Sequence, residues 1–212
     1  MRKSLIFPGL AMVSVLTMGA ATSTPLGVDE TRELMSWNVD APHTEINFSV
    51  KHFFTPVTGN FSSYDVDLVF DPEAPENSTV KVSIDVASVD TNNDRRDNHL
   101  RSPDFFDAET YPKMTFESTS VRQVAPDQLV ATGNLTIKNT TKEVELGINL
   151  LGITDLPSEM QEMMGGVAQI ASFEASTQVD RREFEVGVAN WAQTIIVGGD
   201  VNISIALEAN RK

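Results

Sequence analysis

The chain has no cysteine. That excludes disulfides, thiolate metal sites, cysteine nucleophiles and a lipid anchor on an N-terminal cysteine. Positive charge is scarce. Sixteen Lys and Arg stand against 30 Asp and Glu, giving a net charge of −14. Such a surface repels nucleic acid and anionic lipid heads and favours solubility. Long apolar runs are scarce too. The one candidate, "LIFPGLAMVSVLTMGA", follows Arg2 and Lys3, spans at most 16 residues and contains Pro8. A spanning helix wants about 20 apolar residues. A positive start, a short apolar stretch and small residues at Gly19, Ala20 and Ala21 read instead as a secretory signal peptide over residues 1–21. A polar leader over 22–36 and one domain over 37–212 complete the expected organisation. Export without cysteine points to a Gram-negative periplasm.

What is present is period-two alternation. "TEINFSV" sets Ile46, Phe48 and Val50 against Glu45, Asn47 and Ser49. "SYDVDLVF", "TVKVSIDVA", "KEVELGINL" and "VNISIALEA" repeat the pattern. "KMTFESTSV", "QLVATGNLTI" and "IASFEASTQV" carry it less cleanly, with Gly133 as a candidate bulge or bend. Each segment is a strand with one buried face. Turn chemistry such as "DPEAPENS", "APDQ" and "KNTT" joins them, so neighbours pair antiparallel. Only two stretches suit helices: residues 95–106, and 155–166, where Met160, Met163 and Met164 recur at helical spacing. The predicted fold is all-β: an antiparallel eight-stranded barrel, or a two-sheet sandwich, with one or two short helices. An eight-stranded barrel is either filled by side chains or holds one small ligand, and periodicity does not choose between them.

The most charged segment is "VDTNNDRRDNHLRSPDFFDAETYP", 89–112. Asp90, Asn92 and Asp94 match the first three ligand positions of an EF-hand loop. Arg95 and Arg101 stand where such a loop needs Gly and Glu, so calcium is rejected. The histidines, His43, His52 and His99, show no metal-ligand spacing, and no metal or other cofactor is expected. Neither a GxSxG elbow nor an HExxH motif occurs. Ser88, His99 and an Asp make a triad only on paper. Phe53–Phe54 and Phe105–Phe106 are adjacent pairs that cannot both obey strand alternation. They cap a packed core or line a cavity mouth.

Several blocks together resemble the YceI-like family of periplasmic, polyisoprenoid-binding, lipocalin-like proteins. "WNVDAPHTEINFSVKH" is similar to that family's opening. The 89–112 segment and its flanks match the central signature at Ser88, Asp90, Thr91, Arg96, Asp97, His99, Leu100, Phe105, Phe106, Tyr111, Pro112 and Phe116. "ATGNLTIKNTTKEVEL" and "FEASTQVDRREFEVG" resemble later blocks. The Met-rich segment before Phe173 is longer than the family pattern.

The resemblance implies a lipocalin-like barrel with an elongated apolar channel. It also implies a polyisoprenoid or other long-chain lipid ligand, no catalytic residues and a possible homodimer. Expected channel residues are Phe48, Val50, Phe61, Phe70, Val82, Ile84, Phe105, Phe106, Phe116, Leu135 and Ile148. Met160, Met163 and Met164 are expected at the mouth or cap. Asp90, Arg96, Asp97 and His99 are expected to form a structural polar network. The expected function is a non-enzymatic periplasmic lipid carrier or store, without a permanent membrane anchor. The alternatives are an enzyme using His99 with Asp97 or Arg96 on a polyprenyl phosphate, and a filled barrel acting as an interaction module.

Overall fold

The structure, a computed structural model, describes residues 36–193 and 195–212. The expected signal peptide, and the leader up to residue 35, lie outside the described residues. No helix among the described residues is long and apolar enough to cross a membrane.

The strand segments are β1 (Ser36–Val39), β2 (Glu45–His52), β3 (Thr55–Phe61), β4 (Tyr64–Val69), β5 (Thr79–Asp85), β6 (Val89–Asp90), β7 (Lys113–Ala125), β8 (Gln128–Ile137), β9 (Thr140–Asp155), β10 (Gln169–Asp180) and β11 (Val197–Arg211). Three of the barrel's strands are interrupted, so these segments make eight staves. A 3-10 turn at Ala41–His43, with Pro at its start, separates β1 from β2. Ser62 and Ser63 separate β3 from β4. The Val86–Ser88 turn separates β5 from β6, and the Asp85 carboxylate accepts the Ala87 N–H there at 3.0 Å.

Pairing is antiparallel throughout. The register Trp37↔Leu68 in β1–β4 continues as Ile46↔Phe61 in β2–β3. Closure comes from β11, which pairs β10 on one edge and both β1 and β2 on the other. An up-and-down eight-stranded barrel results, one of the two architectures that the alternation allows and the one that the resemblance implies.

Two short helices sit at opposite ends. α1 (Asp94–Arg101) follows β6. Its Asn93 cap accepts the Arg96 N–H at 3.0 Å. It stops short of the predicted 106 because Pro103 disfavours helical geometry in the residue before it. α2 (Ser158–Met163) lies in the β9–β10 connection and has no side-chain cap.

The interior divides into two packed clusters. One, at the Trp37 end, contains Trp37, Phe70, Val121, Leu129 and Phe173. The other, at the α1 end, contains Phe61, Val89, Phe105, Met114 and Phe184. Two glycines accept aromatic rings between staves. Phe116 lies over Gly133, and Phe48 lies over Gly59. A side chain at either glycine would occupy the ring's place. The bulge suspected near Gly133 is on the neighbouring strand, where β7 shifts register between Ser118 and Ser120.

A Cβ at position 133 would fall 2.6 Å from both the Phe116 ring and the Glu117 carbonyl oxygen. Gly133→Ala is therefore expected to cost about 1–3 kcal/mol in urea unfolding. Gly152→Ala, with nothing within 4 Å, should stay within about 0.5 kcal/mol of the parent.

Candidate ligand-binding interior

Two cavities lie inside the barrel and share no lining residue. The one at the Trp37 end measures about 90 Å³. Ile46, Phe70, Val82, Leu129, Ile148 and Phe173 are among its walls. The one at the α1 end measures about 120 Å³, with Phe48, Val50, Phe61, Phe105, Phe106 and Arg181 among its walls. A layer of side chains separates them. On β7, Val121 lines the first cavity and Met114 the second, while Phe116 between them lines neither. Ile84, Leu135 and Thr177 hold the same intermediate place on β5, β8 and β10.

The expected channel residues thus fall into three groups. Phe70, Val82 and Ile148 line the Trp37-end cavity. Phe48, Val50, Phe61, Phe105 and Phe106 line the other. Ile84, Phe116 and Leu135 belong to the layer between. Inside the barrel the first two groups line two apolar cavities, one towards each end. Inward-facing side chains of adjacent staves meet at mid-height.

The methionines do not line either cavity. Met160, Met163 and Met164 are 46%, 86% and 43% exposed, while Leu156 and Val167 on either side of α2 are buried. The flanking residues anchor this connection, leaving the short helix outside. Phe53 and Phe54 form the β2–β3 turn and are exposed. Phe53 has φ of 52°.

A third, open cavity of about 510 Å³ adjoins the α1-end chamber, sharing Phe48, Val50, Leu100, Phe105 and Val197. It is the mouth. Lys51, His52, Thr91, Asn93, Arg95, Arg96, His99, Val57 and Trp191 complete its lining.

The expected polar network centres on Thr91. Asp97 is buried and accepts both the Thr91 N–H, at 3.0 Å, and the Thr91 hydroxyl. Arg96 donates to the Thr91 hydroxyl oxygen at 2.7 Å and to its carbonyl at 2.6 Å. Asp90 accepts the Asn92 N–H at 2.7 Å. Its members bond through Thr91 and the backbone. His99 stands apart. It meets Asp104 at 3.1 Å and packs edge-on against Phe105 and Trp191. The carboxylate that His99 meets is Asp104, while Asp97 is engaged by Thr91.

Arg181 is the residue that sequence reasoning misses. It is 5% exposed and lines the α1-end chamber. Nε donates to Gly198, Nη1 to Val186 and Gly187, and Nη2 to Trp191 and Val197, all carbonyl oxygens. A guanidinium has five N–H donors, so every one is spent. Burial lowers its pKa, and the neighbouring Asp180 acts the other way. The signal for this residue is faint: one arginine inside "VDRREFEVG", next to another that is exposed.

At the far end, His43 Nδ1 lies 3.2 Å from Asp40 and 3.8 Å from Glu208. Its hydrogen bond to Asp40 and the charges of Asp40 and Glu208 raise its pKa.

A closed eight-stranded antiparallel barrel with an apolar interior defines a lipocalin-like fold. The comparisons make this particular. Residues 37–209 match the YceI-like domain model. "Protein YceI" of Escherichia coli O6:H1 is 35% identical over 188 residues, 88% of each chain. The Salmonella arizonae relative is 34% identical with the same coverage. The chain belongs to the YceI-like family. Among solved structures, Burkholderia cenocepacia BcnA superposes with a TM-score of 0.71 at 26% identity, covering 81% of this chain and 99% of that one. The Campylobacter jejuni YCEI protein gives 0.66 at 32% identity, covering 74% and 86%. A Saccharophagus degradans domain described as polyisoprenoid binding shares the fold at 12% identity and a TM-score of 0.60, covering 84% and 99%.

Two measurements check this geometry. Arg181→Lys offers three donors for five acceptors. It should lose about 3 kcal/mol or more in urea unfolding, because buried carbonyls go unpaired. His43 should titrate above its ordinary range in an NMR pH series. Its raised pKa means the stabilisation is fully present below the unfolded-state pKa and fades as pH rises through the folded-state pKa. His43→Gln should remove that component of the stability profile.

Proposed function

We propose that the protein binds a long-chain isoprenoid or similar amphiphilic lipid inside the barrel, as a non-enzymatic periplasmic lipid carrier or store. The observation that carries this reading is the two apolar chambers on one axis, the α1-end one adjoining a polar mouth. Each buried CH₂ contributes about 0.8 kcal/mol. A prenyl tail therefore has enough driving force to leave water, after ordering costs of several kcal/mol. A relative of the same fold described as polyisoprenoid binding supports the ligand class. The family membership supports a periplasmic role.

Volume sets a condition on this reading. At about 90 and 120 Å³, each chamber is smaller than the roughly 150 Å³ cavity that accepts benzene. A long chain must move the separating layer, chiefly Phe116. The same small volumes favour the second reading, a filled barrel that acts as an interaction module.

Native mass spectrometry of the purified protein, loaded with polyprenols of graded length, separates the two. A lipid reading expects one bound chain per barrel. Phe116→Ala should unite the chambers and raise occupancy by the longest chains. It should also cost about 3–5 kcal/mol of stability without ligand. Failure of both proteins to retain any chain would leave the filled barrel.

A further inference from the structure

We propose that Asp40, His43 and Glu208 form a binding site for a divalent transition-metal ion of zinc type, on the outer wall of the barrel where the sheet closes. The site uses no residue of either chamber or of the mouth, so it stands independently of the lipid-binding reading.

Barrel closure brings the three donors together. Asn38 and Val39 of β1 pair with Asn210 and Ala209, while Glu45 of β2 pairs with Ala206. β11 thus changes partner opposite the Ala41–His43 turn, and Glu208 lies at that gap. Leu207 lines the Trp37-end cavity, so alternation turns Glu208 outward. The backbone here is held on both sides. The Asp40 N–H donates to the Glu208 carbonyl at 2.8 Å, and the Glu208 N–H donates to the hydroxyl oxygen of buried Thr44 at 3.3 Å. The sequence near the turn supplies only the Asp40 and His43 pair. The third donor comes from the last strand, which is why no ligand spacing shows it.

The geometry fits one small ion. His43 Nδ1 stands 3.2 Å from an Asp40 oxygen and 3.8 Å from a Glu208 oxygen, and the three donor atoms all lie within 4.8 Å of one another. Tetrahedral ligands about 2.0–2.1 Å from a zinc ion stand roughly 3.4 Å apart. Small side-chain rotations therefore close the set on one ion. Two carboxylates balance a divalent charge. Among the described residues no lysine or arginine pairs with either of them. An imidazole with two carboxylates suits zinc, whereas magnesium and calcium take larger shells of oxygen ligands. His43 is exposed and the carboxylates are partly buried, so the fourth position faces water. An ion held there ties the turn between β1 and β2 to β11 and braces the seam of the barrel.

The test is a zinc titration of the purified, chelator-treated protein by calorimetry, with long-range ¹H–¹⁵N NMR of the imidazoles. The chain has three histidines, so each ring can be followed. One zinc ion per chain should bind and move the His43 Nδ1 signal, leaving the ring proton on Nε2. At free zinc about 100-fold above Kd, the thermal midpoint should rise by about 5 °C or more. His43→Gln and, separately, Glu208→Gln should each weaken binding at least tenfold. Glu208→Gln keeps both backbone bonds of that residue, so its loss reads ligation rather than folding. Calcium or magnesium at the same concentration should leave the His43 signal in place. Zinc moving His52 or His99 instead, affinity unchanged in both variants, no binding at millimolar zinc, or calcium binding as tightly as zinc would each overturn the site.

Discussion

The α1 end of the barrel depends on one buried guanidinium. Arg181 stands where β10 ends, and its donors reach carbonyls from the 186–187 turn, from Trp191 and from the start of β11. Without it, the 181–197 connection would bury several carbonyls with no partner, each costing about 1–3 kcal/mol. The cost of desolvating the charge is offset by charge-assisted bonds, worth about 1.5–3 kcal/mol each. With this connection fixed, β11 is placed to pair with β2, and Trp191 is placed against His99 and Phe105.

The 89–112 segment meets that connection from the other side. Arg101 donates to the carbonyls of Ala87 and Val89, and α1 holds Leu100 at the chamber wall. Phe105 packs close over Gly187. Gly187 has φ of +60°, and a Cβ there would fall 2.6 Å from the Phe105 ring. A segment that reads as a metal or catalytic site by composition is the wall and rim of a chamber. Its aspartates and arginines mostly bond the backbone, which fixes where the phenylalanines and the mouth cations stand.

Much of the candidate site was legible before the fold was known. Period-two alternation assigned Phe48, Val50, Phe70, Val82 and Ile148 to an inward face, because a strand leaves only two faces. It could not show that Phe116, Leu135 and Ile84 fall between the linings of the two cavities, since that depends on how staves stagger in a closed ring. The methionines show a related limit. Helical spacing reveals a shared face but not what faces it, and Met160, Met163 and Met164 stand exposed on α2. Arg181 was invisible because nothing local distinguishes it from Arg182. Arg182 bonds Asp180 at the surface, and only the tertiary path of the chain buries the other.

By itself the sequence determined the strand count, the antiparallel connections, the inward residues and the family blocks. These follow from short-range chemistry: alternation, turn residues and motif spacing. Tertiary structure alone decided that the interior has two chambers, that a saturated arginine braces one end, and that cations from β2 and α1 gather at one mouth. Those features join residues far apart in the chain. They arise when β11 pairs on both edges and brings the two ends of the sheet together, which no local pattern encodes.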